Sequence, residues 1–306
     1  MWNLILDEVI NEITETGSEA IAYADDIAII VTGNARNELE QKANIATETL
    51  ISWCKKQKLE LSAKKSQMIL LKGFLDIRRP PTVRIGNTSL KMIARYLGIH
   101  YGTRFNIAAH VNFVSDKSKE IFDNLAKVAK TTWGLNTKTM RTLYTGIFIP
   151  IISYAAAGWA DKINSQHRKK IRQAQRAAVL RVTKAYRTIS TAALCVIAGA
   201  TPIDLIIKEK SSLYHLRKGR KFIHHTTHYE ALTQQTEAEI EKTKHKIRRE
   251  TLTKWQHEWD AGQLGRLTHK FYGNVKERLN AGWTHNNHYW VKSYQDTETL
   301  NVNSKN

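Results

Sequence analysis

Two adjacent carboxylates, Asp25 and Asp26, follow Tyr23 between two short apolar, β-prone runs, residues 19–22 and 27–31. Like charges this close disfavour each other's ionisation unless a partner balances them. A hard divalent cation such as Mg²⁺ is such a partner, because it takes oxygen ligands, usually one or two carboxylates plus substrate phosphates. Neighbouring side chains in a strand point to opposite faces. A turn must therefore aim both acids at one ion, or only one of them is a direct ligand. An acidic surface turn with no ligand is the plainer reading of the same pair. A second set is cationic: Arg168, Lys169, Lys170, Arg172, Arg176, Arg181, Lys184 and Arg187 fall within one or two helices. That density suits the tracking of phosphates, which positions a nucleic acid without reading its bases. A solvated helix face, or pairing with acids elsewhere, is the alternative.

Composition points the same way. Lys+Arg number 47 against 28 Asp+Glu, a formal net charge of +19. A field of that sign draws polyanions. The charge is also segregated. Residues 1–60 hold 5 Lys/Arg and 11 Asp/Glu, a net of −6, whereas residues 61–306 hold 42 and 17, a net of +25. An acidic front and a basic rear suit a cation site followed by a backbone-gripping surface. Cys54 and Cys195 are too few for a disulfide framework or a Cys-rich zinc site, and read as buried thiols of a reducing compartment. No run of eighteen unbroken apolar residues argues for a membrane span, and the opening MWNLILDEVINEI is acidic rather than a leader. The expected setting is intracellular, without distinguishing the nucleus from a cytoplasmic ribonucleoprotein.

The elements that must hold these residues follow from periodicity. Apolar residues of the opening segment recur at helical spacing, as if a helix were entered midway, and Gly17 ends it. The acidic pair then sits at the tip of a hairpin. Asn34 suits the cap of a long amphipathic helix over residues 35–58. A strand is expected over 68–71, a hairpin of 83–85 with 90–93 around Gly86-Asn87, and a short strand over 95–99. From residue 107 the pattern is helical nearly throughout. Helices are expected over about 107–131, 137–157, 163–183, 188–198 and 202–223, with Asn136 and Ser190 as caps and Pro202 at a start. Residues 224–250 suit one solvated helix, and the tail after Trp290 suits disorder. Trp133, Tyr144, Tyr154 and Trp159 read as core rather than stacking platforms, and Trp255 and Trp259 as one buried stripe. His215, His224, His225 and His228 match no zinc spacing and read as solvated.

The motif AYADDIAIIV resembles the catalytic hairpin of reverse transcriptases, Tyr-x-Asp-Asp. The order behind it agrees. WCKKQKLELSAKKS resembles that family's helix followed by a Leu…Lys-Thr element, with Lys65-Ser66 in the Lys-Thr place. ARYLGIHYG resembles its Tyr-Leu-Gly primer-side hairpin. WGL at Trp133, LYTGIFIPIISYAAAGW, QRAAVLRVTKAYRTISTAALCVIAGATPIDL, and WQHEWD followed by GRLT resemble the rear of non-LTR (LINE-type) retrotransposon polymerases of arthropods. The likeness runs over about residues 2–290.

The resemblance implies an α+β chain: an incomplete palm of short antiparallel strands with helices over 1–102, a mostly α-helical thumb over 103–223, and a helical C-terminal region over 224–306. It implies template-directed deoxynucleotidyl transfer at a two-metal site with Mg²⁺ or Mn²⁺. Asp25 and Asp26 would be catalytic metal ligands, and Lys65 would lie at the triphosphate. On its residues alone, Lys65 reads as a solvated lysine beside Lys64, Lys55, Lys56 and Lys58. The partners implied are an RNA template, a DNA primer or duplex, and deoxynucleoside triphosphates, with no membrane. Palm polymerases also use an aspartate on an earlier strand, and that strand and the fingers have no match in this sequence. Asp7 and Glu8, on the opening helix, have nothing to place them at the hairpin. The expectation is therefore a polymerase fragment inactive by itself. The alternative is a catalytically silent nucleic-acid-binding module derived from a retrotransposon, and a weaker third is a purely structural helical protein.

Overall fold

The computed structural model describes residues 2–71, 73, 75–76, 78–92, 95–102, 106–128, 137–231 and 236–281. Trp133, Asn136 and the tail after Trp290 lie outside them. The chain divides into two units, residues 1–106 and 107–306.

In the first unit, α1 (Trp2–Glu15) leads through Gly17, at φ +81°, into β1 (Glu19–Tyr23) and β2 (Asp26–Ile30). The helix α2 (Arg36–Lys56) follows. Leu6, Val9 and Ile13 of α1 are buried against Ala46, Leu50, Trp53 and Cys54 of α2, with Ala20, Ala22, Ile27 and Ile29 of the hairpin packed alongside. Full burial of such side chains stabilises by about 1.5–3 kcal/mol each. Asn34 is not the cap of α2. Ala35 occupies that position with no side-chain cap, while Glu38 reaches back to accept from the Asn34 N–H at 2.8 Å. The acid of a capping box thus acts without its usual partner.

Short strands complete this unit: β3 (Gln67–Met68), β4 (Arg84–Ile85), β5 (Thr88–Ser89), β6 (Lys91–Met92), β7 (Arg95–Tyr96) and β8 (Ile99–His100). The strand expected over 68–71 is only the two residues of β3. It pairs in parallel with β6, so the ladders of this unit are not all antiparallel. Side chains of α2 hold the β4 segment. Asn44 donates to the Thr82 carbonyl and accepts from the Arg84 N–H, both at 3.0 Å, and Glu40 accepts from the Thr82 N–H at 2.6 Å.

The second unit is mainly helical: α3 (Ala108–Val128), α4 (Thr137–Leu143), a π-helical turn at Tyr144–Phe148, α5 (Ile149–Ile152), α6 (Ser165–Thr183), α7 (Thr191–Ile197) and α8 (Ile203–Arg217). The helix expected over 137–157 ends at Ile152. Ser153 turns its hydroxyl to the Ile149 carbonyl, and Ala155 lies at φ +48°. Ser190 caps α7 as expected, accepting from the Ala193 N–H at 3.2 Å. The main core gathers Phe122, Tyr144, Phe148, Ile152, Trp159 and Ile171. Gln175 is fully buried inside it and satisfied: its amide donates to Tyr144 Oη and the Thr201 carbonyl, and accepts from the Ile203 N–H.

The single helix expected over 224–250 is overturned. Gly219 at φ +61° ends α8, and β9 (Phe222–His224) pairs antiparallel with β10 (Thr227–Tyr229). Only then does α9 (Glu237–Ala261) begin, at a Thr236–Glu239 capping box. The helices α10 (Arg266–Phe271) and α11 (Val275–Ala281) follow. A second core joins Cys195, Leu205, Trp255, Trp259 and Val275. His224 is not solvated. It is fully buried, with Nδ1 2.9 Å from Ser212 Oγ and Nε2 3.1 Å from Thr251 Oγ1. Both cysteines are free buried thiols. Among the described residues no helix is long and apolar enough to cross a membrane.

Candidate active-site hairpin and nucleic-acid face

The hairpin joins its strands through two residues, Ala24 and Asp25, with Tyr23 opposite Asp26. Two-residue hairpin loops need a positive φ to match strand twist, and Ala24 provides it at +52°. A non-glycine residue pays about 1–2 kcal/mol there. Ala20, Ala22, Ile27 and Ile29 pack onto α1 and α2 and fix the inward face. The period of two then turns Ile21, Tyr23 and Asp26 outward. Tyr23 is 66% exposed and Ile21 55%. Asp25 projects from the tip and is also exposed. The two carboxylates are therefore presented to solvent from adjacent positions, one on the turn and one on the outward strand face.

A second hairpin bears on Asp26. β7 and β8 turn through Leu97 and Gly98, both at positive φ. Burial first, and the Asp26 carboxylate second, push the Tyr96 hydroxyl above its usual pKa, so Tyr96 lies within electrostatic reach of Asp26. Lys65 is exposed in the turn after α2, with its N–H donating to the Ser62 carbonyl at 3.1 Å. Glu8 is committed elsewhere: its carboxylate accepts from Trp53 Nε1 at 3.2 Å and Lys56 Nζ at 2.8 Å, which hold its pKa low. Among the described residues no third acidic, histidine or cysteine side chain joins Asp25 and Asp26 as a metal-holding group.

The eight cations singled out around α6 divide into two kinds. Arg172 donates to Asp204 at 2.7 and 2.8 Å and to Glu258 at 2.7 Å. Burial works against its charge, but the two carboxylates more than restore it, and its pKa stands above the usual value. Arg168 also reaches Asp204, Lys170 pairs with Asp116 at 3.0 Å, and Arg181 with Asp123 at 2.9 Å. Arg176 donates to the Arg187 carbonyl at 2.6 Å and to Thr191 Oγ1. These five side chains hold α6 to its neighbours. Lys169, Lys184 and Arg187 are exposed, and among the described residues their side chains make no ion pair. Pairing with acids elsewhere is the alternative the sequence left open, and its partners could not be named there because they lie far along the chain.

Residues 1–101 match the family "Reverse transcriptase (RNA-dependent DNA polymerase)". Beyond that span, similarity continues through most of the chain. A Pol polyprotein from type-1 retrotransposable element R1 4 of Nasonia vitripennis is 27% identical over 87% of this chain and 72% of its own length. A Pol polyprotein from the R1 element of Bradysia coprophila is 28% identical over 90% of this chain. A putative 115 kDa protein in element R1DM of Drosophila melanogaster is 30% identical over 89%. The chain spans only 28% and 26% of the length of the last two. No solved structure matches it. The acidic hairpin, the Tyr96-Leu97-Gly98 turn behind it and these relatives together place the chain among the non-LTR, LINE-type reverse transcriptases of arthropods.

Proposed function

We propose that these 306 residues form the rear of an RNA-directed DNA polymerase: the palm from catalytic to primer-side hairpin over 1–102, the thumb over 103–223, and a C-terminal region over 224–306. The observation that carries this is the exposed Asp25-Asp26 pair on a two-stranded hairpin packed onto α1 and α2, with Tyr96 of the following hairpin within electrostatic reach of Asp26. The reaction is attack of a primer 3′-hydroxyl on the α-phosphate of a deoxynucleoside triphosphate, forming a phosphodiester and releasing pyrophosphate. Two adjacent carboxylates fit Mg²⁺ or Mn²⁺, which supply charge stabilisation at the attacking and leaving oxygens. Asp25, at the tip, is the better placed ligand, with Asp26 beside it. Lys65, exposed and positive, compensates charge at the triphosphate. Lys169, Lys184 and Arg187 grip the backbone of template and primer.

These residues do not sustain polymerisation by themselves, because two ions need more carboxylates than the hairpin brings together. Primer extension on an RNA template with Mg²⁺ tests both statements. The purified chain should give little incorporation. Robust incorporation lost in Asp25→Ala would overturn the inactivity while confirming the site. Robust incorporation unaffected by Asp25→Ala would overturn the site itself. The second reading, a silent nucleic-acid-binding module, is favoured by the three free cations. It predicts salt-dependent binding indifferent to Asp25 and no metal-dependent chemistry in any context.

A further inference from the structure

The β9–β10 hairpin and the exposed side of α9 carry a feature that polymerisation does not use. Phe222 and Tyr229 are cross-strand partners whose rings stack at 4.7 Å and 7°. The Tyr229 hydroxyl donates to Glu250 at 3.0 Å, which fixes the ring against α9. Lys246 Nζ lies 5.2 Å from the centre of the Tyr229 ring. Phe222 and Tyr229 border a pocket of about 100 Å³ with Arg220 on its rim. Along α9, Lys242, Lys246 and Arg249 lie at helical spacing on the side opposite buried Ile247, Thr251 and Trp255. Arg220, Lys242, Lys246 and Arg249 are all exposed. Among the described residues none of the four makes an ion pair, whereas the cations of α6 are mostly tied to carboxylates.

We propose that this aromatic pair and these four cations form a binding surface for single-stranded nucleic acid, distinct from the α6 face. A free cation releases counterions from a phosphate backbone, whereas one already neutralised by a neighbouring carboxylate contributes less. The planar aromatic component selects a single strand. An unstacked base offers a free π-face, and a duplex does not. Tyr229 is half-buried, with Phe222 stacked on it and the Lys246 ammonium 5.2 Å from its ring centre, and a cation over a ring is a weaker hold than a stacked base. On binding, the base takes the ring and Lys246 moves to the adjoining phosphate. The surface does not depend on the metal site, so it stands or falls separately from the polymerase reading.

The test is anisotropy of fluorescein-labelled 20-nucleotide RNA, DNA of the same sequence, and a 20-base-pair duplex, titrated with the full 306-residue chain at several salt concentrations. All titrations are run in EDTA without added divalent cation, which separates this surface from the hairpin. Tyr229→Leu should weaken single-strand binding about tenfold, while Tyr229→Phe, which keeps the ring, should stay within about threefold. Changing Lys242, Lys246 and Arg249 together to Gln should lower the slope of log K against log salt by about 2 for single strands. RNA and DNA arms that respond alike assign the shared strand chemistry, and a response in RNA alone assigns an RNA site. Unchanged affinity and slope in both variants, or a change confined to the duplex, would overturn the proposal. So would loss of binding to phosphatidylserine vesicles in the triple variant with RNA binding intact, which would make the surface a lipid contact.

Discussion

Ala24 is the residue at which backbone strain meets the candidate site. Its φ of +52° is tolerable for a small side chain and poor for a β-branched one. Ala24→Val should destabilise the hairpin by about 1–2 kcal/mol, and Ala24→Gly should be close to neutral, because relief of strain offsets the greater freedom of glycine when unfolded. Urea unfolding followed by tryptophan fluorescence distinguishes them, and equal midpoints would show that the turn carries no strain. His224 sets a different residue-scale expectation. Burial, then His225 and Lys208, hold its pKa down to about 3. The unfolded chain protonates this imidazole near 6.5 and the folded one does not until about 3. Stability is therefore complete above pH 6.5 and falls as pH drops through that window, by about 2 kcal/mol at pH 5. His215 and His225 shift the same way and add to the slope. In His224→Asn the difference in unfolding midpoint between pH 8 and pH 5 should shrink. A difference as large as the parent's would assign the effect to other groups.

Among the elements, α6 shows why a basic helix is hard to interpret from its own residues. Its spacing of cations was plain in the sequence. What was not plain is that Arg172 meets Asp204 and Glu258, which lie 32 and 86 positions away. No local pattern encodes a pairing of that range. The consequence is that Arg172→Met acts on folding. It leaves Asp204, whose side chain is 5% exposed, with only the longer contact to Arg168. A loss of about 2–4 kcal/mol follows, visible as a lower denaturation midpoint. A Lys169→Gln, Lys184→Gln, Arg187→Gln variant should keep its midpoint and lose affinity for duplex. If instead Arg172→Met leaves the midpoint unchanged, the Arg172 tie contributes no net stability. The β9–β10 hairpin was hidden for another reason. Its sequence FIHHTTHY has no apolar stripe to announce a strand, and its inward histidine is satisfied by hydroxyls of α8 and α9 rather than by apolar packing. The Asp25-Asp26 hairpin was legible because alternating small and β-branched residues on its inward face mark both the strands and their register.

At the scale of the whole molecule, the charge boundary near residue 60 falls inside the first unit, because residues 61–106 hold 9 Lys/Arg against one Asp and bring residues 1–106 to a net of +2. The acidic first 60 residues fall in the unit that carries Asp25 and Asp26. The basic helices α6 and α9 fall in the other. Each unit has its own buried cluster: Trp53, Leu50 and Val9 in the first, Phe148, Trp159 and Ile171 in the second. A unit with a private core can unfold as a unit. The first core is much the smaller, resting on seven buried apolar side chains supported by a two-stranded sheet. An isolated two-stranded hairpin is marginal in water, and helix packing must supply the rest. Thermal unfolding should therefore show two transitions, the earlier one belonging to residues 1–106. Leu50→Ala, by opening a cavity in the first core, should lower that transition by an amount corresponding to about 2–4 kcal/mol and leave the later one in place. Ile171→Ala should do the reverse. A single transition shifted by both substitutions would show that the two cores cooperate. The Asp25-Asp26 hairpin could then not loosen without the basic helices loosening with it.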